Sequence, residues 1–271
     1  MKQQPQKWNS EMRDKSVLVV GAGVAGLASA CELASLGAKV TIVEQSHFAG
    51  GHAIGYTCKA TDQCVKCGAC MVEERLEQAT QDAAVTLMTH TRVSGVDATD
   101  GFSVSFEQAP RFIDPEKCDN CGVCFQKCPV PGAVLRGYSK SHRPFYAIAA
   151  DTCLYRQDGD CSLCREACPQ AAIDLNAQGL TSEISTDAVV LATGFSPFSP
   201  ENKPYGYGQF KNVITNLEME RMLRRKGRAL RPSDGRDARR IAFVQCVGSR
   251  DAKLGHLWCS KVCCGSALRM A

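Results

Sequence analysis

The sequence predicts an α/β protein, a parallel nucleotide-type sheet with a small cysteine-rich module inserted in it, and two stretches predict it. Near the start, an apolar run of strand length, Ser16-Val17-Leu18-Val19-Val20, passes directly into Gly21-Ala22-Gly23-Val24-Ala25-Gly26 and a helix-forming stretch to Leu36. In the middle stand two cysteine runs, Cys118-x2-Cys121-x2-Cys124-x3-Cys128-Pro129 and Cys153-x7-Cys161-x2-Cys164-x3-Cys168-Pro169.

A strand, a glycine turn and a helix in that order open a Rossmann-like βαβ unit. The glycines permit the tight turn, let backbone amides approach a pyrophosphate, and allow the helix to pack closely on the strand, while the helix N-terminus favours phosphate charge. Gly37 ends the helix, and a second strand, Lys39-Val40-Thr41-Ile42-Val43, delivers Glu44 where a carboxylate would accept ribose hydroxyls. A glycine fingerprint alone is weak evidence; flanked by strand and helix and followed by the acid, it is strong.

The choice of dinucleotide rests on two further stretches. Gln45 to Gly51 resembles the segment after the acid in FAD-binding members of the two-dinucleotide-domain flavoproteins, and so does Asp187-Ala188-Val189-Val190-Leu191-Ala192-Thr193-Gly194. The resemblance implies FAD rather than NAD, with Gly21, Gly23, Ala25, Gly26, Glu44, Gln45, Gly50, Gly51, Thr193 and Gly194 as its contacts. Gly50 and Gly51 supply backbone approach to phosphate, and Gly194 relieves crowding at a strand end. His47 and His52 read as polar surface or flavin-margin residues rather than bases.

The first mid-chain run has the bacterial ferredoxin spacing, in which three close thiolates hold one [4Fe-4S] cubane and the cysteine before proline crosses to the other. Cys118, Cys121, Cys124 and Cys168 are thereby assigned to one cluster, and Cys153, Cys161, Cys164 and Cys128 to the second. The seven residues between Cys153 and Cys161 depart from the ideal, leaving Tyr155 to Asp160 as a small loop. Paired zinc sites also use Cys-x2-Cys, but two successive Cys-x3-Cys-Pro endings favour iron. A third set, Cys58-x5-Cys64-x2-Cys67-x2-Cys70, fits a further cubane or zinc, and its place beside the phosphate contact favours iron.

The chain has 271 residues, 17 cysteines and a net charge of +4. The polar start, Met1 to Lys7, has no signal-peptide core, so the thiols are expected to stay reduced in a cytoplasm and to meet iron rather than each other. No run approaches the roughly 20 apolar residues of a membrane span, so any membrane link would go through a partner. Basic residues gather between Arg221 and Arg240 without interleaved aromatics, which favours a solvated face or an acidic protein over nucleic acid.

The reading divides the chain into a tail (1–15), an FAD-binding domain with the inserted cysteine set (16–107), a ferredoxin-like insert (108–178), a return to the FAD domain with a linker (179–236), and the start of a second dinucleotide-type domain (237–271). Met71 to Ala83 reads as an amphipathic helix and Leu217 to Arg225 as another. Arg239 to Gln245 reads as a strand, but Cys246-Val247-Gly248-Ser249-Arg250 has one glycine where a phosphate turn wants three, so ordinary NAD(P) binding is not expected there. Cys31 reads as a small core residue facing the sheet.

The sequence resembles the A-type subunits of heterodisulfide reductases. The resemblance is carried by Cys153-Leu-Tyr-Arg-Gln-Asp-Gly-Asp-Cys161-Ser-Leu-Cys164, by Tyr205 to Glu220, by Arg231-Pro-Ser-Asp-Gly235 and by Ile241 to Asp251. It implies a thioredoxin-reductase-like flavin core with an inserted ferredoxin, a further cubane on Cys246, Cys259, Cys263 and Cys264, and B- and C-type partner subunits with ferredoxin-like carriers around a homodimer. Spacing alone supports no more than a metal site for that last set. Four cubanes would use sixteen cysteines and leave Cys31 over. The chain stops at Met270-Ala271 inside a helix-forming stretch, and so reads as a fragment or a shortened form.

No nucleophile, base or catalytic thiol pair stands out, so chemistry on a disulfide is expected in a partner. An NADPH oxidoreductase of the glutamate-synthase small-subunit type and a zinc-binding assembly scaffold are the rival readings. The first is disfavoured by the missing second glycine fingerprint, and the second would be excluded by acid-labile sulfide.

Overall fold

The computed structural model describes residues 12–60, 63–64, 67–99, 101–141 and 143–271. They fall into two compact units, one within Met1–Ile54 and Cys70–Gly194, the other within Gly55–Ala69 and Phe195–Ala271.

The first unit opens with β1 (Ser16–Val20), α1 (Val24–Ser35), β2 (Lys39–Glu44), α2 (Met71–Gln81) and β3 (Val85–Thr89), followed by β4 (Thr91–Asp97) and β5 (Phe102–Gln108). Short elements then carry the cysteine runs: α3 (Val123–Lys127), β6 (Val134–Arg136), β7 (Tyr146–Ile148), α4 (Leu154–Asp158) and α5 (Leu163–Glu166). The unit closes with β8 (Leu180–Thr186) and β9 (Ala188–Leu191). The parallel sheet has the order β3-β2-β1-β9, and an antiparallel sheet has the order β4-β5-β8.

Val17, Leu18 and Val19 are all buried, so β1 is covered on both faces, as its unbroken apolar run requires. On one face Val17 and Val19 pack with Leu27 and Ala30 of α1 and with Leu76 of α2. On the other, Leu18 and Val43 pack with Val104 and Phe106 of the antiparallel sheet. Cys31 is buried as expected, in one cluster with Val17, Val19 and Ile42 of the sheet, and its Sγ lies 3.5 Å from the Arg75 carbonyl of α2.

The cysteine module leaves the antiparallel sheet after Gln108 and returns at Leu180, and these two residues are register partners. Its ends therefore meet at a closed neck, reinforced by the Ile113–Ile173 bridge, and the module is accommodated without breaking the sheet. Gly179 stands in this neck, where a Cβ would come within 2.7 Å of the Gln108 carbonyl oxygen. The segment after Cys153, expected as a loop, winds into the single turn α4, which Gly159 ends in the left-handed conformation.

In the second unit α6 (Asn216–Lys226) starts at a capping box, with Thr215 and Glu218 satisfying each other's backbone N–H groups, and ends at left-handed Gly227. A second helix, α7 (Cys263–Met270), carries two of the cysteines. The strand expected over 239–245 is not formed: the segment has no regular secondary structure and pairs with no strand, with Ile241 and Val244 about half exposed. Apolar content alone does not make a strand where no neighbouring strand takes up its backbone hydrogen bonds.

Candidate functional site

Gly21, Gly23, Gly26, Glu44, Gly50, Gly51 and the Ala192-Thr193 segment that follows β9 converge on the turn between β1 and α1, with Gly194 next in the chain. Gly21 has φ +104°, and a Cβ there would lie 2.4 Å from the Ala192 carbonyl oxygen. A Cβ on Gly26 would lie 1.8 Å from the Gly21 carbonyl oxygen, so only glycine lets α1 approach the turn. Gly23 is different, since nothing lies within 4 Å of its added Cβ, and its backbone borders open space. Gly50 N–H donates to the Ala22 carbonyl at 2.7 Å, and a Cβ on Gly51 would touch Gly23 Cα at 3.0 Å, which seats the second glycine pair against the first.

Glu44 is buried, and its carboxylate accepts the Ala22 N–H and the Ser46 N–H, each at 2.8 Å. Each carboxylate oxygen retains acceptor capacity beyond one bond. The acid thus braces the glycine turn and remains suited to a ribose hydroxyl. Ala25 and Gln45 are exposed beside the turn. His47 is half-buried and lies against His90, with ring centroids 3.9 Å apart and the planes tilted by 39°. Burial, and secondarily His90, lowers its pKa to about 4. His90 takes a left-handed backbone at φ 56°, and its Nδ1 is buried without a hydrogen-bond partner among the described residues.

The eight cysteines of the inserted module divide between two cavities. Cys118, Cys121, Cys124 and Cys168 line the first, with Ile113, Tyr146 and Ile173 around them. Cys128, Cys153, Cys161 and Cys164 line the second, with Pro129, Val134 and Ile148. Helices α3 and α5 pack together, so Cys124 and Cys164 act on one another and the two rings adjoin. Burial pushes the Cys124 thiol up to about 12 and Cys164 up to about 11, with neighbouring thiols adding to both. Cys118 is raised in the same way, by burial first.

Sulfur-only donors, held in apolar walls and resisting charge while uncompensated, are the chemistry of a thiolate cluster whose iron supplies the missing positive charge. Among the described residues no three His, Cys, Asp or Glu side chains are placed to hold a single metal ion. The module's eight thiols surround two voids instead of closing on one point.

Cys246, Cys259, Cys263 and Cys264 also come within reach of one another. The Ser260 hydroxyl first, then the Cys246 N–H and the Cys264 thiol, hold the Cys263 thiol below its ordinary range, while Cys263, with smaller effects from Cys246 and Cys259, raises Cys264. Of the remaining set, Cys58, Cys64 and Cys67 are exposed in the second unit, and Cys70 is the residue before α2 in the first. Cys67 is held below the ordinary thiol range, chiefly by the Ala69 N–H, with the Lys59 N–H and the charges of Lys59 and Arg269 contributing.

Sequence reasoning missed Lys59, Glu220 and His90. Glu220 had a readable signal: with Asn216, Met219 and Leu223 it occupies the i, i+3, i+4, i+7 face of α6, where a charge beside Met219 and Leu223 is out of place. Lys59 and His90 carried none, because their roles depend on residues distant in sequence.

Residues 19–82 match the model of an NAD(P)-binding Rossmann-like domain, and residues 111–131 match that of a 4Fe-4S binding domain. The chain is 35% identical over 269 residues to the A-type subunit of the H2:CoB-CoM heterodisulfide, ferredoxin reductase of Methanothermobacter marburgensis, covering 93% of this chain and 40% of that protein. It is 34% identical to the iron-sulfur A-type subunit of the CoB–CoM heterodisulfide reductase of Methanocaldococcus jannaschii, over 95% of this chain and 41% of that one. Identity to the A-type subunit of the ferredoxin:CoB-CoM heterodisulfide reductase of Methanosarcina mazei is also 34%, over 96% and 34%. The chain spans between 34% and 41% of the length of these curated relatives. Its glycine turn, its paired thiol rings and this identity along nearly its whole length make it similar to the A-type subunits of heterodisulfide reductases.

Proposed function

We propose that this chain is an FAD- and [4Fe-4S]-containing electron-transfer part of a heterodisulfide-reductase-type oxidoreductase. The observation that carries the reading is the pair of adjoining four-thiol cavities, each completed by a cysteine from the other run. When bound, the flavin would supply two-electron chemistry and the clusters one-electron steps. This chain's own residues bind and orient. The glycine turn offers amides at Gly23 to a pyrophosphate, Glu44 is placed for a ribose, and the apolar walls of the two cavities exclude water and so help to set a cluster's potential.

The partners proposed are B- and C-type subunits carrying the thiol and disulfide chemistry, ferredoxin-like carriers, and a second copy of the chain. Named relatives support this reading, since they are subunits of reductases acting on the CoB-CoM heterodisulfide, some with ferredoxin in their names. The NADPH-oxidoreductase alternative is not favoured. The one glycine of the C-terminal turn, Gly248, is covered by Phe198, whose ring would lie 2.3 Å from an added Cβ, so that turn offers no open phosphate cradle. Among the described residues no helix is long and apolar enough to cross a membrane.

The test is anaerobic reconstitution with iron, sulfide and FAD, followed by metal, sulfide and flavin analysis. About eight iron and eight sulfide per chain are expected from the two cavities, and about sixteen of each if all four sets fill. Zinc without sulfide, or failure to retain any flavin, would overturn the respective half of the reading.

A further inference from the structure

In the second unit a carboxylate and an ammonium group are buried together. The side chain of Glu220 on α6 is 4% exposed and that of Lys59 7%, with Nζ and Oε2 2.5 Å apart. The same Oε2 accepts the Thr57 N–H at 3.1 Å, while Oε1 accepts the Ser266 hydroxyl at 3.3 Å. Lys59 Nζ also donates to the Thr57 carbonyl at 3.0 Å and lies 5.6 Å from the centre of the Tyr56 ring.

One carboxylate thus holds two segments that are far apart in sequence. The first carries Cys58 directly before Lys59, and Lys59 in turn acts on Cys67 through its N–H and its charge. The second is α7, where Ser266 follows Cys263 and Cys264, and Arg269 of the same helix adds its charge to Cys67. A buried ion pair is a poor way to gain stability, because well-packed apolar residues do as well or better. It does define register, since a misplaced segment leaves a charge buried alone.

We propose that Glu220 is a positioning residue that sets the register of the two cysteine-bearing segments of the second unit, through Lys59 for Cys58 and Cys67 and through Ser266 for Cys259, Cys263 and Cys264. It rests on the reading of those thiols as cluster ligands. Neither set then retains its cluster fully without the carboxylate, although Glu220 touches no sulfur.

The experiment is alkylation mapping by mass spectrometry, cysteine by cysteine, on the full chain reconstituted anaerobically with iron and sulfide. In Glu220→Gln, which keeps one acceptor oxygen for the Thr57 N–H and can turn its amide NH2 to the Ser266 hydroxyl oxygen but drops the charge, cluster retention should weaken about 10- to 100-fold at both second-unit sets together. The eight module cysteines should stay protected and serve as an internal control. Ser266→Ala should expose only the C-terminal set, Lys59→Met only the first, and Lys59→Arg should restore protection. Should Glu220→Gln unfold the second unit, the Ser266 and Lys59 variants decide: set-specific loss supports the proposal and unchanged protection overturns it. Full protection in a folded Glu220→Gln chain also overturns it. Unprotected second-unit thiols in the unsubstituted chain, with the module protected, would sink the ligand reading instead.

Discussion

Cys168 lines the same cavity as Cys118, whereas Cys128, the last cysteine of the run that Cys118 begins, lines the other. Substitutions should therefore act across the runs. Cys168→Ser is expected to empty the ring of Cys118, Cys121 and Cys124, and Cys128→Ser the ring of Cys153, Cys161 and Cys164. Each should remove about four iron atoms per chain. Iron and sulfide assays with alkylation mapping check this, and loss from the run that carries the substitution would contradict it.

Gly23 and Gly26 sit in one turn but should fail in different ways. Gly26→Ala forces a Cβ against the Gly21 carbonyl and is expected to destabilise the protein by about 1–3 kcal/mol. Gly23→Ala meets no protein atom, so the unfolding midpoint should hold while flavin retention falls. Thermal melts paired with FAD titration separate the two outcomes.

The contacting pair His47 and His90 should make stability depend on pH. Burial first, then the charge of His90, takes the folded pKa of His47 from 6.5 to about 4, with Asp151 opposing. His90 is lowered by burial and by Arg111, against the Pro110 carbonyl. In both, the unfolded state binds more protons over the interval between the two pKa values. For His47 the contribution is complete above pH 6.5 and is lost as pH falls towards about 4, and His90 adds to it in the same direction. His47→Gln is expected to flatten the denaturation midpoint across that window, and an unchanged slope would count against the pair.

Asp187 joins the two sheets where β8 passes into β9. It accepts the Ser16 N–H at 2.7 Å, the Ser16 hydroxyl at 2.8 Å and Lys15 Nζ at 3.0 Å. The Ser16 N–H first, with Lys15 and the Ser16 hydroxyl, lowers its pKa from 3.8 to about 2. Its contribution is present above 3.8 and lost as pH falls through about 2, so Asp187→Asn should lower the melting temperature at neutral pH and converge with the unsubstituted chain in strong acid.

The glycine turn, the strand carrying Glu44 and the fourfold grouping of the module's cysteines were legible in the sequence. Each depends on local spacing: a turn that admits no Cβ, an acid at a strand end, thiols separated by two or three residues. The helical turn after Cys153 was not legible, because it depends on packing within the module. Nor was the unpaired state of 239–245, since an apolar run does not reveal whether a neighbouring strand exists. The inward face of Glu220 lay between these cases, visible as a charge on an apolar stripe but without a partner until Lys59 was placed beside it.

The second unit is discontinuous in sequence, for Gly55–Ala69 belongs with the residues after Gly194 although the chain on either side of it belongs to the first. A truncated clone beginning at Phe195 would therefore omit Lys59 and leave the Glu220 carboxylate desolvated with no counter-ion. Dissection of this protein into separately expressed pieces must carry the Gly55–Ala69 excursion along, by permutation or by a grafted linker, or the excised portion will not be self-sufficient.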